Sequence, residues 1–111
     1  VLRERGEFEA VLKFDCRVAG RNFIVRARPN GRDQSRLGII AAKKVAARAV
    51  DRNRGKRLIR EIFRDAAHEV GALDVIVQLR TDLRKQTSRG ARDELRALLA
   101  GLDKCRGREL G

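Results

Sequence analysis

The apolar residues change period several times along the chain, and each change marks an element. Phe8, Val11 and Leu12 fall at i, i+3 and i+4, which predicts a short amphipathic helix over about residues 7–14 with Gly6 as a permissible N-cap. Alternation then takes over. Strand-like pieces cover about 16–20, Asn22 to Arg28 and Arg36 to Ala42; in the second, Phe23, Val25 and Ala27 alternate with Ile24, Arg26 and Arg28. Gly20 separates the first two, and Pro29-Asn30-Gly31-Arg32-Asp33-Gln34-Ser35 forms the loop before the third. From about residue 47 the period is helical again, with Ile59, Ile62, Phe63, Ala66 and Val70 on one side as far as Gly71. Asp74 to Leu79 reads as a buried strand. Ala91, Leu95, Leu98, Leu99 and Leu102 predict a last helix, with Thr87 or Ser88 at its start and Gly101 near its end.

The predicted order is α-β-β-β-α-β-α, an α+β fold with a mixed four-stranded sheet and helices packed on it. With 111 residues and no repeat or low-complexity tract, residues 1–111 are expected to form one small domain. Strand 36–42, helix 47–70 and strand 74–79 make a β-α-β unit if the two strands are parallel neighbours, and the general rule would make its crossover right-handed. Four Phe, with no Tyr, Trp or Met, leave little bulk for a deep private active site.

Charge narrows the function. There are 27 Lys+Arg against 15 Asp+Glu, a formal +12, and 21 of the cations are Arg, whose planar fork suits bidentate phosphate contacts. A nucleic acid is the expected partner, ahead of an anionic membrane. No stretch approaches the roughly 18 apolar residues of a membrane-spanning helix, and Val1-Leu2-Arg3-Glu4-Arg5 lacks the apolar core of a signal peptide, so the expected compartment is the cytoplasm. Cys16 and Cys105 are far apart and without metal-ligand spacing; two reduced thiols and no protein metal site are expected.

Much of the charge sits in one segment. Residues 43–64 hold nine cations (Lys43, Lys44, Arg48, Arg52, Arg54, Lys56, Arg57, Arg60, Arg64) against Asp51 and Glu61, a net +7. On a helical projection Arg52, Asn53, Lys56, Arg57, Arg60 and Arg64 fall within an arc of about 140°, and Leu58, Ile59, Ile62, Phe63 and Ala66 occupy a sector that meets this arc at its Arg52 edge. Solvated helix faces usually mix signs, and this one barely does. Guanidinium groups about 5–6 Å apart on such a face can bridge successive phosphates. Gly55 lies on the apolar side, where it costs about 1 kcal/mol relative to Ala and needs a reason, either close approach to the sheet or contact with RNA.

The run Lys43-Lys44, Arg48-Ala49 and Arg52-Asn53-Arg54-Gly55-Lys56-Arg57-Leu58-Ile59-Arg60-Glu61-Ile62-Phe63-Arg64 resembles the RNR-motif region of the protein subunit of bacterial ribonuclease P. The similarity covers about residues 2–80, including Leu2-Arg3, Glu7 to Leu12, Arg36-Leu37-Gly38-Ile39 and Asp74-Val75-Ile76-Val77. It implies a ribosomal-protein-like fold with a left-handed crossover around the RNR helix, and on this point we follow the family over the general rule. It also implies a ribonucleoprotein whose RNA subunit holds Mg²⁺ and removes the 5′ leader of precursor tRNA, with one protein per RNA. The protein then assists the chemistry and has no catalytic residue of its own.

By that resemblance, Lys43, Lys44, Arg48, Arg52, Asn53, Arg54, Lys56, Arg57 and Arg60 face the catalytic RNA. Phe8, Leu12, Ile24 and Arg26 line a cleft for the single-stranded leader, where Phe8 can stack on a base at roughly 1–3 kcal/mol. From spacing alone Phe8, Leu12 and Ile24 read as ordinary core. Leu12 and Arg26 stand where aromatics are common in relatives, Gly55 replaces a bulky aliphatic, and Ala41 and Ala42 lack a hydroxyl some members carry.

Three other readings compete. A ribosomal RNA-binding structural or assembly protein would use the same ridge but needs no leader cleft. A DNA reader would need a helix free for groove entry, whereas this one lies between strands. A protein-only nuclease would need a base and an acid in one place; His68 alone, with Asp15, Asp51, Asp65, Glu69 and Asp74 in no paired motif, does not supply them.

Overall fold

A computed structural model describes residues 5–83 and 88–106. Helix α1 (Arg5–Lys13) leads into strands β1 (Arg17–Ala19), β2 (Phe23–Pro29) and β3 (Arg36–Ile40). Helix α2 (Ala49–Val70) and strand β4 (Leu73–Leu79) follow, and helices α3 (Ser88–Ala100) and α4 (Asp103–Arg106) close the order. The strands lie β1-β2-β4-β3. β2 is antiparallel to β1 and β4, while β3 and β4 are parallel neighbours joined through α2. The predicted order and mixed sheet are therefore present, with α4 as an addition.

The alternation along the strands divides the molecule. Phe23, Val25 and Ala27 of β2, with Val75, Val77 and Leu79 of β4, are buried with Leu58, Ile59, Ile62 and Phe63 of α2 and Leu95 and Leu99 of α3. The opposite face is thinner: Val11 of α1 and Ile76 of β4 are fully buried together, with Phe8 and Ile40 packed around them. Neighbouring residues of β4 thus serve two cores because successive strand side chains point to opposite faces.

Several predicted boundaries shift for local reasons. β3 ends at Ile40, not Ala42, because the Ala42 carbonyl accepts hydrogen bonds from the N–H groups of Val45 and Ala46 and turns the chain. β2 begins after Asn22, whose N–H and Nδ2 both donate to Glu94 of α3. It runs on through Pro29, the residue expected to open the loop. Ala27 N bonds back to Cys16 and Asn30 N to Ala72, so alternation puts the Pro29 nitrogen on the β1 side, beyond the last β1 partner at Arg26. The last helix breaks at Gly101, whose N–H bonds to Ala97 and Leu98, before α4 begins. Thr87, one of two expected starts for α3, lies outside the described residues.

Gly55 is buried, and a Cβ there would stand 3.2 Å from Leu79 Cδ2. Of its two possible reasons, close approach to the sheet has direct support. Gly71 ends α2 at φ 74°, with its N–H bonded to Ala67.

The expectation of two reduced thiols is corrected. Cys16 and Cys105 form a disulfide across 89 residues with Cα atoms 5.8 Å apart, and both are buried. Sequence separation concealed this because the approach is made by tertiary packing: α4 lies against β2, beside the segment that holds Cys16.

Candidate nucleic-acid interface

Two polar surfaces lie on opposite sides of the sheet. The first is built on α2. Its core-facing side is buried, while Asn53, Arg54, Arg57, Arg60 and Arg64 are exposed. Arg52 and Lys56 are half-buried at the edge of this stripe. Lys43, Lys44 and Arg48 are exposed in the turn that enters the helix, so the predicted cations are presented as one ridge with its approach. Arg52 has a second duty: its Nη1 donates to the carbonyls of Ala46 at 3.1 Å and Ala47 at 2.8 Å. It thereby braces the turn that carries the two lysines. Arg48 pairs with buried Asp51 at 3.6 Å, placing a carboxylate in the first turn where the helix dipole favours it.

The second surface is the sheet face under α1. Strand alternation turns Ile24, Arg26 and Arg28 of β2 and Ile76 and Gln78 of β4 to this side. The register sets Ile24 opposite Gln78 and Arg26 opposite Ile76; the Arg26 guanidinium reaches diagonally and donates to Gln78 Oε1 at 2.7 Å. Gln78 was not singled out from sequence, since alternation alone does not say which strand lies beside β2. α1 covers part of this face, contacting β2 and β4. Phe8 is half-buried, Leu12 is 42 % exposed and Ile24 is half-buried, so none of the three is a fully buried core residue.

α1 is held over the sheet by a charged cluster. Arg36 of β3 donates through Nε and Nη2 to both oxygens of Asp74, at 2.8 and 2.7 Å, and through Nη1 to Glu7 of α1. Asn30 Nδ2 also donates to Asp74, at 2.9 Å. The hydrogen bonds that Arg36 donates to Asp74, and after them the one it donates to Glu7, raise its pKa further above its already high value, so the guanidinium stays charged. On the ridge side, Arg92 of α3 lowers the Glu61 pKa below its ordinary value by hydrogen bonding, helped by the charges of Arg64 and Arg57.

His68 is exposed in the last turn of α2. Asp74 and Asp51 are paired with Arg36 and Arg48. Among the described residues no three His, Cys, Asp or Glu side chains group to hold a metal ion. No described helix is long and apolar enough to cross a membrane.

A cationic helix face on one side of a mixed sheet and a half-covered, mixed polar and apolar face on the other define an RNA-binding protein of the α+β class. The ribonuclease P family model matches residues 1–103. The ribonuclease P protein component of Chromobacterium violaceum is 38 % identical over 105 residues, covering 95 % of this chain and 87 % of that one. That of Legionella pneumophila is 35 % identical, covering 96 % and 92 %. Among solved structures, the RNase P protein from Thermotoga maritima superposes with a TM-score of 0.81 at 34 % identity, covering 90 % of this chain and 97 % of that one. The Staphylococcus aureus RNase P protein gives 0.81 at 32 % identity, covering 92 % and 94 %. The chain belongs to the ribonuclease P protein family. Its function is that of an RNA-binding protein component of ribonuclease P in tRNA processing, which selects this reading over the ribosomal one.

Proposed function

We propose that this chain binds, one copy per RNA, to the RNA subunit of a ribonuclease P holoenzyme and helps it remove the 5′ leader of precursor tRNA. The chemistry belongs to the RNA, with Mg²⁺ held mainly there. The α2 ridge with Lys43, Lys44 and Arg48 neutralises phosphates of the catalytic RNA and fixes its register. The face beneath α1 receives the single-stranded leader: Phe8 offers a ring for stacking, Leu12 and Ile24 apolar surface, and Arg26 a guanidinium plane.

The observation that carries this reading is the separation of the two surfaces by the sheet, which lets one small protein hold two RNA segments at once. Arg26 is already bonded to Gln78 and so held on the sheet face, where a base or phosphate can meet it at little entropic cost. The test is 5′ cleavage of a precursor tRNA at low Mg²⁺ by a bacterial ribonuclease P RNA, with and without this protein, beside the protein alone. Cleavage only when both are present is the expected outcome. Cleavage by the protein alone, or no gain with several such RNAs, would overturn it.

A further inference from the structure

Along the exposed side of α2, Asn53, Arg57, Arg60, Glu61 and Arg64 line a shallow polar notch of about 420 Å³. Three guanidinium groups and an amide suit an anion there. Glu61 does not: a carboxylate in the wall repels a phosphate and competes for its partners. Arg57 lies four residues before Glu61 and Arg64 three after, the spacings at which helical side chains meet and pair.

α3 removes that conflict. Arg92 reaches across from it, and Nη2 donates to Glu61 Oε2 at 2.6 Å, with the two side chains 33 % and 35 % exposed. Its guanidinium occupies Glu61 from outside the helix, in competition with Arg57 and Arg64, whose charges also act on that carboxyl.

We infer that Arg92 is a positioning residue for RNA binding: by engaging Glu61 it leaves Arg57 and Arg64 to hold a backbone phosphate in the notch. This rests on the reading of the ridge as the RNA face and adds Arg64 and Arg92 to it. The ligand class is an RNA phosphodiester, and Arg92 itself touches Glu61 and not the phosphate.

The test is binding of the full chain to a bacterial ribonuclease P RNA across a salt series, for the parent, Arg57→Ala, Arg92→Ala, Arg92→Lys, Glu61→Gln and the Arg92→Ala/Glu61→Gln double variant, with thermal melts to establish folding. Arg92→Ala should bind about three- to tenfold more weakly with a salt slope lower by about one, as Arg57 or Arg64 turns in to Glu61. Arg92→Lys should stay within about twofold of the parent, since a cation still faces Glu61. Glu61→Gln should restore most of the loss in the Arg92→Ala background and change the parent little. If the double variant binds as weakly as Arg92→Ala, or Glu61→Gln strengthens both backgrounds by the same factor, the coupling is absent and the inference falls. If Arg57→Ala binds like the parent, the ridge reading itself fails, which separates the two.

Discussion

Arg57 and Phe8 carry the two functional surfaces, and substitutions at them should separate. Arg57 is exposed on α2, so Arg57→Ala should weaken association with the catalytic RNA and reduce the salt slope by about one, read from binding isotherms at several salt concentrations. Phe8 is only half-buried against Val11 and Ile76. Phe8→Ala should leave that association intact and weaken binding of precursor tRNA to the holoenzyme but not of mature tRNA; equal losses for both would remove the cleft assignment. The ridge was legible because a 3.6-residue period sorts cations from core without any tertiary information. The bracing of the 43–48 turn by Arg52, the Arg26–Gln78 bond and the hold of Arg92 on Glu61 were not, since each needs a partner that sequence leaves unplaced.

Between elements, charge does the positioning. Arg36 ties α1 to β3 and β4 through Glu7 and Asp74. Asp74 is 4 % exposed, so Arg36→Leu would strand a buried carboxylate and should destabilise the fold by about 3 kcal/mol in urea unfolding. Glu61 joins α2 to α3. Its folded pKa is depressed by Arg92 and, through charge, by Arg64 and Arg57, so the stability it contributes is present above the unfolded carboxylate value of about 4.3. That contribution is lost as pH falls through the lower folded value. The melting temperature of Glu61→Gln should therefore lie below the parent's near neutrality and converge on it in acid; a constant difference across that window would count against the pair. The elements themselves were visible in the changes of hydrophobic period, but their ends were not. β3 stops where the Ala42 carbonyl is taken by a turn, and Pro29 is admitted to a strand because no neighbour reaches its missing N–H.

At the scale of the whole molecule, the Cys16–Cys105 disulfide joins the segment before β1 to α4 across most of the chain. A cross-link over so long a loop restricts the unfolded state, so reduction should destabilise the protein by about 2–4 kcal/mol, measured by thermal melting with and without a thiol reductant. No change on reduction would show that packing alone holds α4. The pairing was not readable in advance because 89 residues of separation carry no information on distance once the chain folds. What the sequence by itself determined is the order of elements, the two-sided strands and a basic helix face, since these follow from periodicity and the kinds of side chain present. Only the tertiary structure decided which strands are neighbours, and with them the placing of Gln78 beside Arg26, Arg92 on Glu61, Leu79 against Gly55 and Cys16 on Cys105. The reason is physical: local period records which face of an element is apolar, whereas partners across elements depend on register and packing, which no single segment contains.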